Sequence, residues 1–346
     1  MQKDSSGTSD EPDSTLDLPV FFLVPDIIMK TTVDHTIHSR ILTLLFTAPS
    51  HRLSIQDLTR EANLSQTQAE TLINEIKVAG IPMETTGNTY TLIDPEDLLS
   101  PCGFDPETQN KILHYLQVPS TMTMARTMAE QGAAHMSCCV AEQQSAGRGR
   151  MDRSWLSPRG GLWFSLIMRP QIPPAEAYIF NFAAAVSLHA AIRDLYGLDA
   201  RVKWPNDLLL DGKKLTGLLS EIQIKDNAIG YLITGIGINV NNTPVRTPRG
   251  LAPISLKEAL GKPLPRRPLL KAFLSHFTKL TSAPDISSIM ASWKSCSATI
   301  GARVTVETHN RTVTGTAVDV DDSGTLMIRT PDGKKEEIIY GDCFHT

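Results

Sequence analysis

Between residues 147 and 159 this chain cannot continue a regular element. Gly147-Arg148-Gly149-Arg150-Met151-Asp152-Arg153-Ser154-Trp155, then Arg159, alternates glycine with arginine before running on in charged residues. Glycine weakens helix and strand alike, so the segment reads as a mobile loop that splits one run of structure from the next. Its arginines offer guanidinium forks to carboxylate and phosphate, and its glycines let backbone N–H groups approach the same anions. A solvated basic loop and a nucleic-acid patch are the competing readings, although Trp155 is the only aromatic residue nearby.

Further along, Arg201-Val202-Lys203-Trp204-Pro205-Asn206-Asp207 ends an extended apolar run. Lys203 supplies a fixed point charge there, or lies as a strand-edge lysine over Trp204. Pro205 stops the strand, leaving Asn206 and Asp207 in a turn placed to reach a ribose or a metal. Loop and strand end together describe a site that neutralises a carboxylate and a phosphate, which is what joining an acid to a nucleotide requires.

The patterns on either side give an α+β fold. Residues 1–30 form an acidic tail, read as disordered at least over 1–15, with 20–24 a short strand or docking segment. Residues 31–95 read as a winged helix-turn-helix. Helices over 37–46, 55–62 (capped by Ser54) and from Ser65 to about Ala79 precede a hairpin turning at Gly87-Asn88. A Pro- and Gly-bearing linker covers 94–106. Residues 107–296 mix helices (121–131, capped by Ser120 or Thr121; 175–196; 264–281; 286–295) with strands (137–141, 161–168, 200–204, 208–210, 215–224, 228–237). Residues 298–346 carry short strands and Gly turns, the pattern of a small β-barrel.

Composition excludes several classes. A length of 346 residues suits two or three domains, and a net charge of −4 argues against a wholesale nucleic-acid binder. No apolar run approaches the roughly 20 residues that span a bilayer, and the acidic start predicts no secretory signal. The five cysteines form no CxxC pair and read as reduced, buried thiols of a cytoplasmic protein. There is no P-loop, GxSxG or HExxH; Asp152 spoils a GxGxxG, and no metal ligands are identified.

Taken in order, the motifs resemble those of the biotin–protein ligases, of the three-domain kind that also represses its own operon. The arginine loop is similar to that family's GRGRxGRxW, with Asp152 where the family has glycine. Lys203-Trp204-Pro205-Asn206-Asp207 matches its KWPND, and residues 213–221 its RKLAGILVE-like strand. Residues 235–241 match its GxGIN segment. Ser120-Thr121-Met122 stands where the family has STN, and 142–146 leads into the loop as its EEQTA does.

The resemblance covers about residues 35–346. It implies a class II synthetase-like catalytic domain with a mixed sheet, and an SH3-like C-terminal barrel. Ser120, Thr121, Met122, Gln144, Arg148, Gly149 and Arg150 would hold biotin, with Lys203 bridging its carboxylate and the α-phosphate of ATP. Arg150, Arg153, Trp155, Asn206, Asp207, Gly235 and Asn239 would lie along the nucleotide, and Arg148, Arg150 and Lys203 would be catalytic. Mg²⁺ would carry the pyrophosphate. The implied partners are a biotin carboxyl carrier protein, operator DNA and, with ligand bound, a second copy of the chain.

The N-terminal domain leaves two readings open. Ser65, Gln66, Gln68, Asn74 and Lys77 are the candidate DNA contacts, yet 65–79 offers one base, Lys77, against Glu70 and Glu75. Operator binding and a regulatory or dimerising role both fit. Two further alternatives to the ligase are a repressor that uses the site only to sense biotin, and a lipoate ligase on a related fold.

Overall fold

The computed structural model describes residues 26–151, 153–246 and 251–345, with backbone alone over 26–36. Most of the acidic tail, the 20–24 segment and Asp152 lie outside these residues. Helix α1, Asp26–Thr47, starts inside the stretch read above as tail.

Helices α1, α2 (Ile55–Ala62) and α3 (Gln66–Val78) pack around Ile41, Leu42, Leu45, Leu58, Ile73 and Ile76. Local chemistry sets their ends. Ser54 accepts from the Asp57 N–H, Ser65 and Gln68 form a capping box, and Asn63 closes α2 in the left-handed region at φ 55°. A three-stranded antiparallel sheet completes the unit in the order β1 (Arg52–Ser54), β3 (Thr89–Leu92), β2 (Met83–Thr86).

The stretch 94–106 is not the loose linker that its prolines suggest. Leu98, Leu99 and Ser100 are buried. Its backbone is tied down from outside: Arg267 Nη1 donates to Pro95 O (2.6 Å) and Leu98 O (3.2 Å).

The central sheet has seven strands in the order β4 (Ile112–Tyr115), β5 (Ser137–Ala141), β6 (Leu162–Met168), β10 (Ala228–Ile238), β9 (Lys213–Lys225), β8 (Asp207–Leu210), β7 (Arg201–Lys203). Only β4–β5 is parallel, so the sheet is mixed. Successive residues point to opposite faces. Cys138 and Val140 join the large core that includes α6 (Ile179–Tyr196), α8 (Arg266–Thr281) and α9 (Ile286–Ser295), while Cys139 and Ala141 join a smaller one with α5 (Thr121–Glu130).

The expectation of no membrane-length apolar stretch meets one exception among the described residues, since Pro174–Tyr196 is long and apolar enough by composition to cross a membrane. Its apolar face is instead buried in the protein: Phe180 lies against Phe277, and Phe182 meets Trp293 edge-on at 5.2 Å.

The C-terminal sheet is antiparallel, in the order β14 (Lys335–Ile338), β13 (Leu326–Arg329), β12 (Thr312–Val320), β11 (Arg303–Glu307), β15 (Asp342–His345). Its Val304, Val306 and Ile328 belong to the same core as the central sheet, so the two sheets share one buried interior.

Candidate active site

The site begins as bare sheet. Gly217 on β9 lies in register with Gly237 on β10, and Gly235 shares the face of Gly237. A Cβ at 237 would sit 2.4 Å from Trp155 Nε1, one at 217 would sit 2.8 Å from Trp155 Cζ3, and one at 235 would sit 2.6 Å from Met122 Cγ. Glycine at these places lets Trp155 and Met122 lie directly on the strands.

One end of the resulting cavity, which has a volume of about 780 Å³, is a polar cradle. The Thr121 N–H, at the start of α5, donates to Gln144 Oε1 at 2.7 Å, and Thr121 Oγ1 lies 2.8 Å from Ser165 Oγ. Gln144 Nε2 donates to Ser157 Oγ at 2.7 Å, which fixes the amide orientation. Ser120 holds the N-cap position of α5 but makes no side-chain capping bond, so the capping expected of Ser120 or Thr121 is not what orders this turn.

The arginine loop spreads over three walls. Arg148 Nη2 lies 3.2 Å from Glu221 Oε1 on β9. Arg150 donates to Asn206 Oδ1 (3.1 Å) and to Gly341 O (2.9 Å). Arg153 pairs with the Asp342 carboxylate. Burial lowers the Arg150 pKa, opposed by nearby Asp342 and Asp207, yet a guanidinium stays charged at such values.

Lys203 ends β7 just before a cis Trp204–Pro205 bond. Its side chain is 6% exposed, with Nζ 3.7 Å from Asp207 Oδ2; Lys214 Nζ lies 2.7 Å from Asp207 Oδ1. Asn239 is buried and accepts from Asn242 Nδ2 at 2.9 Å. Burial, and then Lys203, push His345 down to about 4, leaving it neutral near pH 7.

Every residue that the sequence placed at the acid and nucleotide sites lines this one cavity, from Ser120 to Asn239. The DNA candidates lie elsewhere, on α3, and most are engaged. Ser65 and Gln68 cap each other, Gln66 Nε2 donates to Glu70 at 2.8 Å, and Lys77 bonds Thr85 and sits 5.4 Å over the Tyr90 ring. Asn74 is exposed.

Sequence reasoning missed the partners that hold the site's side chains: Glu221, Lys214, Ser157, Ser165 and Asp342. Lys214 and Glu221 lie in the 213–221 strand motif, which by itself names no role for them. Asp342, Cys343 and Phe344 line the cavity from the C-terminal strand β15, and no pattern announced them.

Glycines of the sheet, a buried lysine and three arginines line one cavity, an arrangement able to neutralise an anionic ligand. Comparison makes this specific. Residues 114–239 match the biotin/lipoate A/B protein ligase family and residues 299–346 the biotin protein ligase C-terminal domain. The chain is 33% identical over 313 residues to the bifunctional ligase/repressor BirA of Bacillus subtilis, covering 87% of this chain and 96% of that one. It is 30% identical over 214 residues to the biotin–[acetyl-CoA-carboxylase] ligase of Paracoccus denitrificans, covering 58% and 89%. The biotin protein ligase of Aquifex aeolicus, solved with biotin and ATP, superposes with a TM-score of 0.57 at 26% identity, covering 68% of this chain and 99% of that one. The chain belongs to the biotin protein ligase family.

Proposed function

We propose that this protein is an ATP-dependent biotin–protein ligase. It joins biotin to AMP with loss of pyrophosphate, then passes the acyl group to a lysine ε-amine of a biotin carboxyl carrier protein, releasing AMP. The observation that carries this reading is the meeting of residues from 120–122, 144–155, 203–207 and 235–239 in one cavity that holds the buried ammonium group of Lys203.

The chemistry is a problem of charge. A carboxylate attacking a triphosphate is repelled unless both are neutralised, and fixed donors in a site poor in water do this at low reorganisation cost. Lys203, Arg148 and Arg150 are the groups placed to do so. Thr121, Gln144 and Ser120 offer donors and acceptors to a ureido head, with Met122 and Gly149 alongside. Arg153, Trp155, Asn206, Asp207 and Asn239 are left for the nucleotide. Gly235 joins the acid end, because its strand face is covered by Met122.

Mg²⁺ fits here as part of its substrate, MgATP. Among the described residues no three His, Cys, Asp or Glu side chains cluster for a metal. Asp207 and Asp342 in the cavity are each ion-paired, and Mg²⁺ is commonly held through substrate phosphates with one or two carboxylates.

We assign residues 31–95 to a winged helix, 107–296 to a class II synthetase-like catalytic domain and 298–346 to an SH3-like barrel. The three-helix unit with its hairpin, the mixed sheet and the short antiparallel strands support this division. Five free cysteines suit a cytoplasmic protein.

A second role, biotin-dependent repression, is supported by the relatives that combine both activities along their length. The engaged side chains of α3 mean that DNA would have to displace internal bonds. Titrating upstream DNA at about 0.1–0.2 M salt, with and without biotin plus ATP, tests it; no shift at micromolar protein removes the repressor role. Pyrophosphate release with biotin against lipoate tests the acid, and release with lipoate alone would overturn the assignment.

A further inference from the structure

The acid end of the cavity has a stop. Met122 lines the cavity, is 3% exposed, and belongs to the small core that includes Val118, Ala125, Cys139 and Ile233. It rests on Gly235 so closely that a Cβ there would lie 2.6 Å from its Cγ and 2.7 Å from its Sδ, with Ser165 Oγ 3.5 Å away. Such contacts leave no room for a methyl group. Thr121, next to Met122 in sequence, holds Ser165 and Gln144, so the pair stands beside the polar cradle.

We infer that Met122 and Gly235 act together as a specificity-determining pair that sets how large an acid head the site admits. This rests on the ligase reading above. A thioether on an unbranched chain adapts its shape to small gaps, and here its reach is fixed from below by the bare strand. With core behind it and cavity before it, Met122 has one direction in which to yield. A methyl group on residue 235 drives the side chain into the space of the acid. Shortening residue 122 opens that space.

The two changes are therefore expected to compensate. Gly235→Ala weakens biotin binding about ten-fold or more, as overpacking of a tight contact does, and moves ATP binding less. Met122→Ala with Gly235→Ala recovers most of that loss, because the methyl group then fills the space that the thioether left. Met122→Ala alone admits a biotin carrying an N-methyl group on its ureido ring, which the unaltered chain rejects.

The experiment is calorimetric titration of the full chain and these three variants with biotin, N-methylbiotin and ATP. Recovery in the double variant and gain of N-methylbiotin by Met122→Ala support the pair. If the unaltered chain binds biotin but the double variant is no better than Gly235→Ala, and Met122→Ala still rejects N-methylbiotin, the pair sets nothing and this inference alone falls. If Gly235→Ala does not fold, the Met122→Ala titration decides. If the unaltered chain binds no biotin, the ligase reading falls first and the inference with it.

Discussion

Lys203 Nζ stands 3.7 Å from Asp207 Oδ2, with the two side chains 6% and 12% exposed. Asp207 is shared, since Lys214 holds its other oxygen at 2.7 Å. Of the two lysines on Asp207, Lys203 thus has the looser hold, which leaves its ammonium group the better placed to meet an incoming anion. Lys203→Ala should slow adenylate formation by about two decades or more, the loss typical of one transition-state donor. Lys214 keeps Asp207 paired, so the fold should survive. Single-turnover formation of biotinyl-AMP within a few-fold of the unaltered chain would exclude this role.

The Arg153–Asp342 pair joins the arginine-bearing segment to the last strand of the C-terminal sheet. Asp342→Asn should speed dissociation of biotinyl-AMP several-fold, and rising salt should have less effect on the variant than on the unaltered chain. A stopped-flow dissociation rate equal to that of the unaltered chain, at low and high salt, would show that the C-terminal strand does not hold the loop.

A second charged network includes Glu142, two residues before Gln144 of the cradle. Arg266, 3% exposed, donates to Glu142 Oε2 at 2.6 Å and to Asp97 Oδ2 at 2.6 Å, and Glu142 Oε1 meets His114 Nε2 at 2.8 Å. Burial raises the Glu142 pKa, but Arg266 and then His114 outweigh it and hold the carboxyl at about 2. A carboxylate with a depressed folded pKa stabilises the fold fully above its unfolded value of about 4.3. That contribution fades as pH falls from there toward 2. Thermal unfolding should show this acid slope, and Glu142→Gln should flatten it. Arg266→Ala should cost about 3–5 kcal/mol by removing the guanidinium that pairs with buried Glu142 and half-buried Asp97. An unchanged slope in Glu142→Gln would assign acid sensitivity to other groups.

The same network sets where the chain can be cut. Asp97 belongs to the segment after the N-terminal hairpin, yet its carboxylate is Arg266's partner. Deleting residues 1–93 should leave adenylation measurable, since the cavity residues all lie between Ser120 and Phe344. Deleting through Ser100 should lower the melting temperature sharply. A folded 94–346 protein that forms no adenylate would overturn this modular reading.

Much of this was legible in the chain. The strand read over 137–141 and the helix read over 286–295 match the observed bounds of β5 and α9, and Ser54, Ser65 and Gly87-Asn88 mark real caps and a real turn. Local signals fail where stability comes from far away. Strand β4 is four residues long and exists because β5 pairs with it. β15 likewise depends on β11, so the reach of Asp342 into the site could not be seen. Residues 94–106 look like a linker by composition, but Leu98 and Leu99 are buried and Arg266 and Arg267, distant in sequence, bond the segment. Arg148, Arg150 and Lys203 stand out by their charge and the glycines of their loop, whereas Ser120, Thr121, Met122, Gln144 and Asn239 are implied only by the family resemblance. Their holders, Glu221 and Ser165, are ordinary strand residues whose roles come from register.

The most direct measurement follows the acyl group through both half-reactions. The full chain would be mixed with biotin and ATP labelled in the α-phosphate, freed of unbound nucleotide, and then given a biotin carboxyl carrier domain. A biotin–protein ligase should give a tightly held, biotin-dependent labelled adenylate that is chased into labelled AMP as one carrier lysine becomes biotinylated. Failure to retain labelled nucleotide with biotin, or retention without transfer to the carrier, would contradict the ligase assignment.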